Sequence, residues 1–506
     1  MEKPRLSRDH HLPTTTHVKH HPEYTDKTAT TAAAIAPEVR EGDVSVFGLA
    51  PGVTTRDITP VGIVAIAFNI CNSWTAIAAS LAIAIASGGT ISLIYGMIVS
   101  FVMFLSTGLS LAELAAVYPT AGGQYHFTSI LAPARYSKGL SYFCGMTAVF
   151  SWIALCAAVS ISTAQPLIAL VQLFKEDYVP KDWHYFLVFE ALLTMVFLYN
   201  IFALKRTPWV HDIGFALTMT LFIVVTITCV SLAHPKKDND FVWNTWVNGS
   251  GWPAGVCFLT GLVTPCFMFA GIDSAMHLAE EVQTPARIIP RAIVSSIVVG
   301  FVSAFAYTIG MLYCIKDFDA VLNSPTNFSI LEVYRQATGS RGAAGAFCVG
   351  SILIGCFVLN ACQQTASRLT WSFARDNGIV FSNLVRRIHP KLEVPVNALI
   401  VNWAIVVITG VIYVASSTAF NALVGTGMIL QQVSFAIPTA LLIYHKRSSD
   451  YLPSNAPFRL PSILGWAANI STIIFSVVIF IFFQIPVTLP VTGSNMSKSL
   501  LSDRSF

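Results

Sequence analysis

Asn69-Ile-Cys-Asn-Ser-Trp74 and Phe269-Ala-Gly-Ile-Asp-Ser274 interrupt two long apolar runs, Pro60 to Ala86 and Pro253 to Leu278, with residues that a lipid-facing helix would not carry. In hydrocarbon every backbone N–H and C=O must be satisfied by protein, so a polar break at mid-run is tolerated only where it is enclosed or lines a cavity. Counting apolar runs of about 20 residues outward from these two gives spans near 60–86, 90–117, 141–171, 185–204, 209–233, 253–278, 291–315, 343–371, 395–415, 420–444 and 463–485. The breaks fall in the first and sixth of these, which are corresponding positions if the chain is two repeats of five. Interrupted helices in matching places of two halves point to a solute site near the membrane midplane.

Composition agrees. Of 506 residues, 54% are hydrophobic and only 11% charged, against roughly a quarter charged in a soluble domain, so the fold class is an all-α integral membrane bundle. The net charge of +4 comes from loops and tails and implies no nucleic-acid partner. Residues 1–58, polar and rich in Thr and His, read as a disordered cytosolic tail without the apolar core of a cleavable signal peptide. Residues 59–489 read as the polytopic domain, with spans 1–5 over about 60–233, spans 6–10 over about 253–444 and span 11 near 463–485; residues 490–506 form a short polar tail. His17, His20 and His21 have helical metal-ligand spacing, but a solvated His-rich tail is the commoner case, and no metal or cofactor is expected. The ten cysteines, Cys71 to Cys362, all fall in or beside apolar runs and read as small core residues. No nucleotide-binding glycine loop or hydrolase elbow stands in the loops, which argues against an ATP-driven pump or a membrane enzyme.

Basic residues set the orientation. With a cytosolic N-terminus the inside loops hold Arg135, Lys138, Lys205, Arg206, Arg287, Arg291, Arg375, Arg386, Arg387, Lys391, Lys446 and Arg447 among others, while the outside keeps few. The sequons at Asn248 and Asn327 then both lie outside as glycosylation sites. Trp183, Trp243, Trp246 and Trp252 flank span ends as interfacial anchors, or three of them form a small cap. The apolar stretch Ile330 to Tyr334 in the longest external loop reads as a surface helix, either packing filler or a cover over the outer entrance.

In span 1, Asn69, Asn72 and Ser73 either present an unwound backbone and its helix dipole to a ligand or simply hydrogen-bond across a helix interface. In span 6, Gly271 permits an open backbone, and Asp273 is the deepest acid, a candidate for a substrate amine or a proton. His277 and Glu280 or Glu281 share roughly its helical face; the two glutamates, nearer the cytosolic end, are expected to be solvated or paired with Arg287 or Arg291. Glu190 in span 4 and Glu113 in span 2 are further proton candidates or structural acids. Trp74, Trp152 and Phe269, on spans 1, 3 and 6, are placed to hold an organic cation by their ring faces, and equally suit ordinary packing. Asn360, Gln363 and Gln364 put polar groups inside span 8, as path lining or as helix glue.

Glu113-Leu-Ala-Ala-Val-Tyr-Pro-Thr-Ala-Gly-Gly-Gln-Tyr125 resembles the signature after span 2 in the amino acid, polyamine and organocation transporter superfamily, and Trp371-Ser-Phe-Ala-Arg-Asp-Asn-Gly378 and Val394-Pro-Val-Asn397 are similar to its later landmarks. Asn72-Ser-Trp74, Asp273 with His277, and Pro486 to Met496 narrow the likeness to the fungal amino acid and choline transporter family, which includes choline and gamma-aminobutyrate permeases. The resemblance implies an inverted five-plus-five repeat like that of the leucine transporter, alternating access, and in many members proton coupling. Span 1 departs from the superfamily in having Asn69 and Asn72 in place of a glycine-flanked break, span 5 lacks a lysine found in some proton-coupled relatives, and the usual twelfth span is missing after span 11. A C-terminus left outside would make Asn495-Met-Ser497 a third external sequon. The expectation is a plasma-membrane secondary transporter importing a small nitrogenous solute, an amino acid or choline-like amine, with protons. Export of a specialised metabolite and a non-transporting nutrient sensor are the alternatives.

Overall fold

The computed structural model describes residues 58–486 and Leu489, apart from Ser87, Glu176 and Pro208. The expected N-terminal tail up to residue 57, with its histidines, the C-terminal tail and the sequon at Asn495 lie outside the described residues.

Ten helices among these are long and apolar enough to cross a membrane: one running from Pro60 (span 1), Gly89–Val117 (span 2), Ser137–Phe174 (span 3), Asp182–Phe202 (span 4), Val210–Leu232 (span 5), Pro285–Cys314 (span 7), Arg341–Arg375 (span 8), Val396–Ala415 (span 9), Ser417–Tyr444 (span 10) and Ser462–Phe482 (span 11). Span 6 contributes only the shorter apolar helix Ala254–Phe267 because its continuation is broken. Spans 1 and 3 are the most enclosed, and span 5 the least, so the bundle centre is built around 1 and 3.

The two breaks have different forms. Thr59 opens span 1 as its cap, its hydroxyl accepting from the Gly62 N–H at 2.9 Å, with Pro60 in the first turn where a missing N–H costs nothing. The helix then runs to Cys71, passes through Asn72 in the left-handed conformation (φ 32°, ψ 54°) and resumes at Ser73. The interruption is therefore one residue, narrower than the Asn69–Ser73 stretch the sequence suggests, because asparagine tolerates the left-handed region and keeps its backbone bonded: its N–H donates to the Phe68 carbonyl at 2.8 Å and its carbonyl accepts from Ala76. Span 6 opens more widely. After Phe267 the chain turns through Met268–Asp273, with Gly271 at φ 80°, makes one helical turn at Ser274–His277 and ends in a 3-10 turn at Ala279–Glu281.

Ile58 pairs with Val282, its N–H donating to the Glu281 carbonyl at 3.2 Å. Span 1 thus begins where span 6 ends, and the two broken helices run in opposite directions. We call this side the Pro60 face. Between spans 2 and 3 a short helix, Gln124–Leu131, lies at that face, and on the other side the helix Ile330–Thr338 packs on span 7 through a 2.7 Å bond between the Tyr334 and Tyr307 hydroxyls.

Candidate functional site

Two cavities flank the breaks. One, of about 160 Å³, lies away from the Pro60 face and is lined by Asn72, Thr75, Thr163, Phe267, Ala270 and Phe328 among others. The other, of about 230 Å³, opens at the Pro60 face beside Gly62, His211, Asp212, His277, Glu281 and Arg368.

Asp273 sits between them, 1% exposed, on neither lining. Its Oδ2 accepts from Gln124 Nε2 at 2.6 Å and Trp152 Nε1 at 3.2 Å and lies 3.0 Å from His277 Nε2, while Oδ1 accepts from Gln431 Nε2 at 3.3 Å. Four side chains from spans 3, 6 and 10 and the Gln124 helix thus converge on one carboxylate. A buried acid is stable only with such compensation, and with this shell occupied by protein it has little capacity left for a solute. His277 is fully buried, and its Nδ1 lies 2.9 Å from the Ala121 carbonyl oxygen.

Asn72 is the sequence candidate that lines the 160 Å³ cavity. It is 2% exposed, and neither its Oδ1 nor its Nδ2 has a hydrogen-bond partner among the described residues. The other substrate candidates stand elsewhere. Asn69 donates to the His211 carbonyl at 2.9 Å, and Ser73 to the Met268 carbonyl at 2.6 Å, which ties span 1 to the start of the span 6 break. Trp74 packs against Tyr307 (5.1 Å between centroids) and Phe222, and Phe269 against Phe104 (5.2 Å). Trp152 reaches Asp273, and Gly271 lies under it, close to Ile70. The aromatic side chains on the cavity wall are Phe267 and Phe328 instead.

Among the proton candidates, Asp273 and His277 pair directly, whereas Glu190 faces Gly410 of span 9 and lines neither cavity. Glu113 is held by Arg447 Nη2 at 2.7 Å and the Leu460 N–H at 2.9 Å, a structural role. Glu280 and Glu281 meet Arg375 (two contacts of 2.9 Å) and Arg368 (2.6 Å), partners from span 8 that sequence spacing does not suggest. The Tyr125 hydroxyl donates to Asp376 Oδ2 at 2.8 Å, joining the two sequence landmarks at the Pro60 face; burial, with Asp376 beside it, pushes that hydroxyl well up and keeps it protonated. Of the sequon asparagines, both are exposed, and Asn248 Nδ2 donates to the Trp252 carbonyl at 2.8 Å.

Sequence reasoning did not single out Gln124, Gln431 or His211. Gln431-Gln432 is a polar pair inside an apolar run, which is the signal that finds Gln431 as a partner of a buried acid; Gln124 stands in the motif after span 2 and carries no such signal, and His211, whose Nε2 lies 2.7 Å from Gln364 Oε1, stood too near a span end to attract notice.

The amino acid permease family model matches residues 58–501. The choline transporter of Saccharomyces cerevisiae is 35% identical over 86% of this chain and 77% of its own. The 7-keto 8-aminopelargonic acid transporter of the same yeast is 28% identical over 85% of this chain and 87% of its own. The swainsonine transporter of Arthroderma benhamiae is 31% identical over 88% and 87% respectively.

Proposed function

Because this chain belongs to the amino acid permease family, we propose that it carries a small nitrogenous solute, an amino acid or a choline-like amine, across the plasma membrane by alternating access, without altering it chemically. The observation that carries the reading is the Asn72 carboxamide, buried, unpartnered and on the wall of a cavity at the break of span 1. A dry amide with both ends unsatisfied costs about 1–3 kcal/mol, which a solute offering a hydroxyl, carboxylate or amine recovers. The name of the yeast choline transporter supports the amine end of the range.

The N-terminus is taken as cytosolic, so the Pro60 face is the inner one, the 160 Å³ cavity is the outer binding chamber and the 230 Å³ cavity is the release vestibule. Asn248 and Asn327 are then external and open to glycosylation. Proton coupling is assigned to the Asp273–His277 pair, whose position between the chambers suits a group that responds to both; Glu190, which lines neither, is not needed. A second reading, export of a specialised metabolite, is favoured by the likeness to the swainsonine transporter.

Uptake of labelled choline, amino acids and polyamines by permease-deficient cells at two pH values tests the proposal. Asn72→Leu is expected to raise KM for the accepted solute by roughly 10- to 100-fold, the equivalent of the amide's unpaired cost, at normal surface abundance. Unchanged uptake kinetics would overturn the site, and efflux without uptake would favour the second reading.

A further inference from the structure

We propose that His277 is the proton carrier of this transporter and that the geometry described above is its proton-loaded state. This rests on the proton coupling read above, and goes beyond it by fixing which atom holds the proton and what its departure releases.

Hydrogen-bond accounting at the two ring nitrogens carries the inference. A carbonyl oxygen only accepts, so Nδ1, 2.9 Å from the Ala121 oxygen, bears a hydrogen. At the other end Nε2 lies 3.0 Å from Asp273 Oδ2, an oxygen that already accepts from the Gln124 amide and the Trp152 indole. That oxygen is placed as an acceptor, so Nε2 bears a hydrogen too, and the ring is an imidazolium facing a carboxylate. A neutral histidine has one N–H and satisfies only one of these two oxygens. Were the proton drawn across to Oδ2, the pair would still hold the same one proton more than a carboxylate beside a neutral ring, and would be neutral as a unit. Trp152 stands against the pair, its ring at 90° to the imidazole with centroids 5.8 Å apart.

The surrounding charges leave this proton to the pair. Glu280 and Glu281 are matched by Arg375 and Arg368 of span 8. From span 5, His211 meets the Gln364 carboxamide through Nε2, and Asp212 lines the same vestibule. His277 borders that vestibule as well, though fully buried, so its proton leaves on the Pro60 face once water enters there, while Asp273 stays enclosed.

Unloading breaks one N–H bond and passes the proton to water entering the vestibule. The neutral ring then gives up either the Ala121 carbonyl or Asp273. Loss of the Ala121 tie loosens the segment that leads into the Gln124–Leu131 helix, leaving it joined to span 6 through the Gln124 bond to Asp273, while its Tyr125 is bonded to Asp376 at the end of span 8. Proton release is in this way linked to loosening of the inner face, the step an importer needs next.

The test uses the purified full chain, wild type and H277Q, with H277R as a second variant that keeps a fixed cation in case the first is unstable. Nitrogen NMR of ring-labelled histidine, taken as the wild-type signal missing from either variant, is expected to show both ring nitrogens protonated at neutral pH; a signal with one protonated and one bare nitrogen would overturn the assignment. In vesicles containing a pH-sensitive dye, labelled choline and amino acids are expected to drive proton entry in the wild type. In the variants that flux is expected to fall to background while exchange of solute persists. Proton flux retained in H277Q overturns the carrier role alone. Solute uptake by the wild type with no proton flux overturns the coupling on which it rests.

Discussion

Adding one methyl group at Gly271 tests whether the span 6 break has to be as tight as it is. Gly271 sits at φ 80°, where a residue with a Cβ costs roughly 1–2 kcal/mol. The new Cβ would stand 2.6 Å from Ile70 Cγ2 and 3.3 Å from both Leu155 Cδ2 and Trp152 Cη2. The first of these is far inside a normal contact, and overpacking of this kind costs about 1–3 kcal/mol. Gly271→Ala is therefore expected to destabilise by roughly 2–5 kcal/mol, with a lower melting temperature in detergent and reduced uptake at matched surface abundance. The two contributions separate: Ile70→Ala removes the clashing methyl but leaves the backbone strain, so the double variant is expected to regain only the steric share, read as the coupling in a double-mutant cycle. Wild-type stability and uptake in Gly271→Ala, or no coupling to Ile70, would refute the reasoning.

Two further outcomes follow from the inner face. Arg368→Ala leaves Glu281, whose side chain is 17% exposed, without the 2.6 Å contact to Arg368 Nε, and is expected to cost about 3 kcal/mol, partly restored in Arg368→Ala/Glu281→Ala; thermal unfolding in detergent checks it. Burial pushes the His126 imidazole down from its usual 6.5, so below that pH the unfolded chain binds more protons than the folded one; stability is present above pH 6.5 and lost as pH falls, and His126→Asn is expected to flatten that acid slope in melting curves.

The spans were legible because lipid demands long apolar runs and leaves few alternatives. The span 6 break was legible as well, since Gly271 and Asp273 state in residue type both the freedom and the charge found there. Asn69 was harder. A buried asparagine serves a ligand or a neighbouring backbone equally well, and only the path of span 5 reveals that its partner is the His211 carbonyl. The same limit explains Glu280 and Glu281: Arg287 and Arg291 are near in sequence, whereas Arg375 and Arg368 reach them from span 8 only through the tertiary fold. Trp74 and Phe269 suited a cation cage by span number, yet helix rotation turns them into aromatic packing while Phe267 and Phe328 face the cavity. Asp273 was found as a lone acid; that two glutamines and an indole compensate it depends on tertiary approach that no spacing rule contains.

The shortness of the first part of span 6 bears on how the protein is made. At about 1.5 Å per residue, Ala254–Phe267 reaches only roughly 20 Å, well under the ~30 Å of hydrocarbon it must help to cross. Left alone in lipid, the open turns after it would expose bare peptide groups. The segment therefore has no stable resting place during synthesis until spans 1 and 3 are already in the bilayer to receive it: Ser73 to bond the Met268 carbonyl, Trp152 to meet Asp273. Assembly of the second half is thereby templated by the first, and a chain with a damaged span 1 is expected to lose its later spans to quality control before any question of solute arises.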